Sequence, residues 1–175
     1  MKLRLATLFA LLVLSNSGNF LYAQWSTIPS VDNAINAYPN QNWSNGFYFC
    51  PDGNNGAIYS WIQLENSTGQ NRTYINRIDK NGQVKWGSAG IAVFYNASAS
   101  QFPMGIREDG SGGCYVAVQD GGNGYNVLIQ HFDSTGAALW NSAGVQPFVY
   151  DQSVGQIEVS MLNTGSGVFV TAGCV

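Results

Sequence analysis

Asp79-Lys80-Asn81-Gly82-Gln83-Val84-Lys85-Trp86-Gly87-Ser88-Ala89-Gly90 returns 54 positions later as Asp133-Ser134-Thr135-Gly136-Ala137-Ala138-Leu139-Trp140-Asn141-Ser142-Ala143-Gly144. Both copies read D-x-x-G-x-x-x-W-x-S-A-G. The D-x-x-G step is a hairpin turn: Asp accepts a hydrogen bond from the backbone two residues on, and Gly tolerates positive φ. The turn follows an alternating apolar/polar stretch in both places, Tyr74 to Ile78 and Val127 to Phe132, which reads as a strand. A large aromatic at a fixed place in a repeat, Trp86 and Trp140, is read as the packing unit between neighbouring repeats.

A second motif works outward from the first. Asp52-Gly53-Asn54-Asn55-Gly56 precedes the apolar run Ala57 to Trp61, and Asp109-Gly110-Ser111-Gly112-Gly113 precedes Cys114 to Val118, 57 positions later. Asn163-Thr164-Gly165-Ser166-Gly167, followed by Val168 to Val170, is a degraded third copy. Each is a turn entering a strand apolar enough to be buried on both faces. A Trp followed by a Gln marks each unit: Trp25 and Gln41, Trp86 and Gln101, Trp140 and Gln156. A repeat of this length holding about four short strands predicts an all-β fold of antiparallel four-stranded units, as in a β-propeller. The units run at about 25–85, 86–139 and a truncated 140–175. Glu65 to Arg72, extra residues between two strands, predict a polar loop at one rim.

The composition agrees. Only 10% of the chain is charged, Gly occurs 21 times and aromatics reach 13%, a mixture suited to short strands and tight turns rather than helices. Lys2 and Arg4, the ten-residue apolar run Leu5 to Leu14 and Leu21-Tyr22-Ala23 before Gln24 predict a signal peptide over 1–23. The run is too short to span a bilayer, which takes about 20 residues. Residues 24–175 therefore form the exported part, secreted or at the cell surface, with no transmembrane segment after cleavage. They keep five of the seven basic residues and all ten acidic ones, a formal charge of −5. Arg72, Arg77, Lys80, Lys85 and Arg107 are scattered, so nucleic acid and anionic membranes are poor partners.

At the points now quoted the chain resembles the propeller-like repeat arrays of large secreted and surface proteins in bacteria with type IX secretion. The matching residues are Asp109 to Gly113, Asn76-Arg77, Asp79, Gly82, Trp86 and Gly90, then Gln130-His131, Asp133, Gly136, Trp140 and Gly144. Trp25 to Gln41, with Pro29 and Val31, is similar to the half-repeat of that family. The resemblance implies the architecture and says next to nothing of function. It departs at the family's W-x-D-x-R, where this chain has Trp61-Ile62-Gln63-Leu64-Glu65 and Val118-Gln119-Asp120; only Asp120 keeps the acid. The family's sorting domain has no counterpart within residues 24–175. The spacing differs from the tryptophan-docking motif of quinoprotein propellers and from the Asp-box of sialidases.

A propeller has four to eight blades, and four of this length need about 216 residues. An open array exposes unpaired strand edges. The repeat arithmetic thus predicts a piece of a longer protein, or a chain that closes by oligomerising.

No catalytic, metal or cofactor residue is assigned. His131, the only histidine, stands where the previous copy has Arg77 and reads as part of a polar strand face, without an orienting partner. Asp52 with Asn54, and Asp79 with Asn81, offer too few oxygens for calcium and read as turns. Cys50, Cys114 and Cys174 read as buried thiols rather than a disulfide framework, and no Cys/His spacing fits zinc. The sequons at Asn42, Asn66, Asn71 and Asn96 are not read as glycosylated in a chain with bacterial resemblance. Trp43 and Tyr125, outside the repeat positions, are the weak ligand-contact residues. The expectation is a non-catalytic surface module binding glycan or protein. The alternatives are a non-catalytic portion of a secreted enzyme whose active site lies in other sequence, and a spacer without a ligand.

Overall fold

A computed structural model describes residues 47–95, 99–123, 126–148 and 157–174. The signal peptide, Trp25, Gln41, Trp43, Tyr125 and Gln156 lie outside these residues. The described chain is all-β and antiparallel, as expected, and holds three sheets. The first has the order β1-β2-β3-β4, made of β1 (Tyr48–Pro51), β2 (Ala57–Glu65), β3 (Gln70–Ile78) and β4 (Ile91–Ala92). The second has β5 (Gln101–Glu108), β6 (Cys114–Asp120) and β7 (Asn126–Phe132), and a single bridge from Ile129 to Val145 stands beside β7 as β4 stands beside β3. The third is the hairpin β8 (Ile157–Asn163) and β9 (Val168–Cys174). Among the described residues no sheet closes on itself.

The turns form as their chemistry dictates. The Asp79 carboxylate accepts the N–H groups of Asn81 (2.9 Å) and Gln83 (3.0 Å), and Gly82, at φ 75°, donates to the Asp79 carbonyl at 2.9 Å. Asp133 accepts from Thr135 and Ala137 at 2.8 and 3.0 Å, with Gly136 at φ 88°. Bridges from Ile78 to Val84 and from Phe132 to Ala138 close both hairpins. The other turn type is equally regular: Asp52 Oδ1 accepts from Asn54 and Gly56, and Asp109 Oδ1 from Ser111 and Gly113.

The strands that follow these turns are covered on both faces. Ile58 to Gln63 of β2 are buried without interruption, as are Cys114 to Val118 of β6. Alternation along β6 explains how. Cys114, Val116 and Val118 point to a junction with the first sheet that includes Cys50, Ile58, Ile75 and Trp86. Tyr115 and Ala117 point to a junction with the third sheet, against Val159, Met161 and Val170. Val116 and Val118 are wholly enclosed, and each such side chain contributes about 1.5–3 kcal/mol.

Trp86 acts between sheets as expected: it is buried in the first junction, and its indole N–H donates to the Ser134 carbonyl at 3.2 Å. Trp140 is half-buried in the second junction, against Tyr115 and His131. The expected rim loop at Glu65 to Arg72 is corrected. Glu65 ends β2, Gln70 to Arg72 begin β3, and only residues 66–69 form the turn. The extra residues lengthen a hairpin whose ladder runs out to Glu65 and Gln70, and the Arg72–Glu65 ion pair (3.1 Å) joins its strands beside the turn. Arg72 is fully buried there, not solvated.

Candidate functional site

Two kinds of polar site emerge. The first is a repeated tie across each sheet. Arg77 of β3 reaches back to the turn that precedes β2, its Nη2 lying 2.9 Å from Asp52 Oδ2. His131 of β7 does the same in the second sheet, its Nε2 lying 3.0 Å from Asp109 Oδ2. The strand register requires this, since Arg77 pairs with Ile58 and His131 with Tyr115, both one step into the strand after the turn. Burial pushes both carboxyls up, but backbone N–H donors and the facing Arg77 or His131 outweigh it, leaving Asp52 and Asp109 below their ordinary value. Asp109 corrects the expectation that His131 has no orienting partner. The pair lies 22 positions apart in sequence, and only the β6–β7 pairing brings it together. The His131 ring is stacked on Tyr115 (centroids 4.2 Å apart) and edge-on to Trp140 (5.8 Å). With Nε2 engaged by Asp109 and the ring held between aromatics, the pair fastens the turn to the sheet.

The second site is a half-open pocket of about 520 Å³ at the first junction. Its lining includes Phe94, Tyr95, Gln101, Asp120, Leu128 and Gly144. Gln101 opens β5 and Asp120 closes β6, and their pairing in the ladder sets the two side chains together. Gln101 Nε2 donates to Asp120 Oδ2 at 3.3 Å, while Gln101 Oε1 is buried without a hydrogen-bond partner. Asp120 Oδ1 accepts the Gly122 N–H at 2.8 Å. Above this polar floor stands Tyr95, 72% exposed, with the Arg72 guanidinium 5.3 Å from its ring centroid.

The residues singled out by motif fall into place unequally. Asp79, Gly82, Asp133 and Gly136 build the hairpin turns, and Asp109 and Gly113 the turn before β6. Gly90 and Gly144 lie against aromatic rings, Trp61 and Phe94 respectively, and Gly144 also borders the pocket. Asp120, noted as the surviving acid of its motif, and Gln101, noted as the Gln that follows Trp86, prove to be one hydrogen-bonded pair. Tyr95 had no sequence signal beyond a loose likeness of Phe94-Tyr95 to Phe148-Val149-Tyr150.

Cys50 and Cys114 are free thiols in the first junction, as expected. Burial and then the Glu108 charge push the Cys50 thiol up to about 12, and burial also raises Cys114. Both carboxylate oxygens of Asp52 are engaged, by N–H donors and by Arg77, which accounts for this loop as a turn rather than a cation site. Among the described residues no helix is long and apolar enough to cross a membrane. Comparison with known proteins yields no match, whether to a family model, a curated protein or a solved structure.

Proposed function

We propose that this chain is an exported, non-catalytic binding module built from β-propeller-type sheets, serving adhesion, scaffolding or the capture of glycan or protein at a cell surface. The observation that carries the binding role is the pocket between the first two sheets, where an amide, a carboxyl group and an exposed tyrosine converge on one opening. Such a set gives directional hydrogen bonds and one flat apolar face, which is the equipment of recognition. The propeller reading is supported by three antiparallel sheets packing face to face in chain order, with like turns leading into β2, β6 and β9. Export rests on the arrangement of residues 1–23, and kinship with type IX cargo on the repeat motifs.

The test has two readouts. Full-length protein expressed in a secreting bacterium is expected to appear outside the cytoplasm with Gln24 as its first residue, read by intact mass. The secreted protein is then screened on glycan and surface-protein arrays. Saturable binding without turnover of the bound material supports the module. Turnover favours a secreted enzyme, and a protein that binds nothing on either array is a spacer.

A further inference from the structure

We infer that the outer edge of β9 is an acceptor for one partner segment, an extended strand followed by a D-x-x-G turn, with the residue pattern that β3 and β7 share. The segment runs antiparallel to β9, and its turn covers Trp140.

The three sheets repeat one plan, and the third departs from it at one edge. Each has a strand entered by the same kind of turn: β2 after Asp52, β6 after Asp109 and β9 after Asn163, whose Oδ1 accepts the Gly165 N–H at 2.7 Å. β2 lies between β1 and β3, and β6 between β5 and β7. Among the described residues β9 pairs with β8 alone. Its other edge therefore presents backbone N–H and C=O groups to an incoming strand. Side chains of β9 carry the same mark. Val168, Val170 and Ala172 hold the junction positions of Cys114, Val116 and Val118, yet they are half-buried where those three are wholly enclosed. Phe169 holds the position of Tyr115 and is 59% exposed, whereas Tyr115 carries the stacked His131 ring of β7.

Trp140 adds a separate observation. Trp86 is buried under the turn of the following sheet: its indole N–H donates to the Ser134 carbonyl, and Gly136 has no side chain where the Trp86 ring passes. Trp140 stands at the same place in its repeat and is only half-buried. A D-x-x-G turn continuing from a strand added to β9 arrives over Trp140 as the Asp133–Gly136 turn arrives over Trp86. One segment therefore serves both positions.

The registers of β3 on β2 and of β7 on β6 define that segment. Opposite Val168 comes the counterpart of Ile78 or Phe132, which enters the junction. Opposite Phe169 comes that of Arg77 or His131, a planar basic group that lies on the ring. Opposite Val170 comes an amide, as Asn76 and Gln130 are; both accept the backbone N–H of the following Trp and so hold the turn against the strand. Opposite Thr171 comes isoleucine, as in Ile75 and Ile129. The order matters because a slip of one residue exchanges the two faces. This is recognition by strand addition, with backbone bonds for affinity and alternate side chains for specificity.

The secreted chain is titrated with a synthetic peptide copying residues 73–85, which contains no tryptophan, and with a scrambled peptide of the same composition. Calorimetry reads binding, and hydrogen exchange reads the β9 amides. The ordered peptide is expected to bind one to one. At about ten times its Kd it should slow the outward β9 amides about tenfold and shift tryptophan emission to the blue, a shift absent in Trp140→Phe. Arg77→Ala in the peptide is expected to weaken binding about two- to fivefold, and to have no effect on a chain carrying Phe169→Ala, an exposed position. Because the other substitutions lie in the peptide, the fold of the chain is not at stake in them. Equal binding of the scrambled peptide overturns the pattern, and binding that leaves β9 exchange unchanged overturns the site. Absence of binding overturns the inference outright. Outward β9 amides that exchange slowly without peptide at every dilution show the edge already covered. Protection that appears only as protein concentration rises assigns the edge to a second copy and overturns this occupant.

Discussion

Three glycines of the first two sheets isolate two separate reasons for having no side chain, and alanine at each has a different expected cost. Gly87 has φ 82° with nothing within 4 Å of the position a Cβ would take. Gly87→Ala therefore carries only the left-handed backbone penalty, about 1–2 kcal/mol. Gly113 is the reverse case, with no positive φ but a Cβ that would collide with the Phe132 carbonyl and lie 2.7 Å from Asp109 Oδ2. Backbone cannot yield cheaply there, because Cys114 and Phe132 are register partners in the ladder. Crowding of that kind costs about 1–3 kcal/mol. Gly90, the last residue of the S-A-G motif, has both problems: φ is 72°, and a Cβ would meet the Trp61 ring and stand 2.8 Å from the Ile75 carbonyl oxygen. Summing the two contributions gives about 2–5 kcal/mol for Gly90→Ala. Urea unfolding of the mature chain, followed by tryptophan fluorescence and far-UV circular dichroism, measures all three. The expected order of midpoints is wild type, Gly87→Ala, then Gly90→Ala lowest, at a constant slope. Equal loss at Gly87 and Gly90, or an unchanged midpoint for Gly113→Ala, would refute the assignment of crowding to these positions.

The remaining predictions concern the ties, the buried tryptophan and the thiols. Asp52→Asn removes the charge that holds Arg77, at about 1–3 kcal/mol, and Asp109→Asn acts in the same direction through His131. Because both folded carboxyls lie below the ordinary value of 3.8, their contribution is complete above that pH and is lost as pH falls through the folded values. An acid titration of the unfolding midpoint should show wild type losing stability on acidification, and the double variant losing less. Trp86→Phe keeps most of the packing but removes the donor to Ser134, for about 0.5–1.5 kcal/mol, whereas Trp86→Ala costs about 3–5 kcal/mol by chemical denaturation. Cys50 and Cys114, buried and with raised thiol values, should resist iodoacetamide at neutral pH in the native protein and react once unfolded, read by peptide mass mapping.

Legibility followed distance along the chain. The turns at Asp79 and Asp133 were readable because donors and acceptor lie within four residues, so residue type alone settles the geometry. The double burial of β2 and β6 was readable from uninterrupted apolar runs. Arg72 was misread as part of a polar rim loop, because an arginine in a polar stretch carries no mark of the ion pair it makes when buried. His131 was readable as the counterpart of Arg77 but not as a partner of Asp109, since the contact depends on which strands pair and in what register. The pocket gathers residues from five separate stretches between Phe94 and Gln146, and nothing local in the sequence joins them.

By itself, then, the order of residues determined the all-β class, the turn chemistry, the central strands and the place of Trp86 as a packing unit. Each of these is a matter of local hydrogen bonding or of the period of apolar side chains. Tertiary structure alone decided the Asp–Arg and Asp–His ties, the burial of Arg72 and the convergence of Tyr95, Gln101 and Asp120. These depend on strand register and on the packing of one sheet against the next, and such contacts join residues whose separation in sequence leaves no periodic trace.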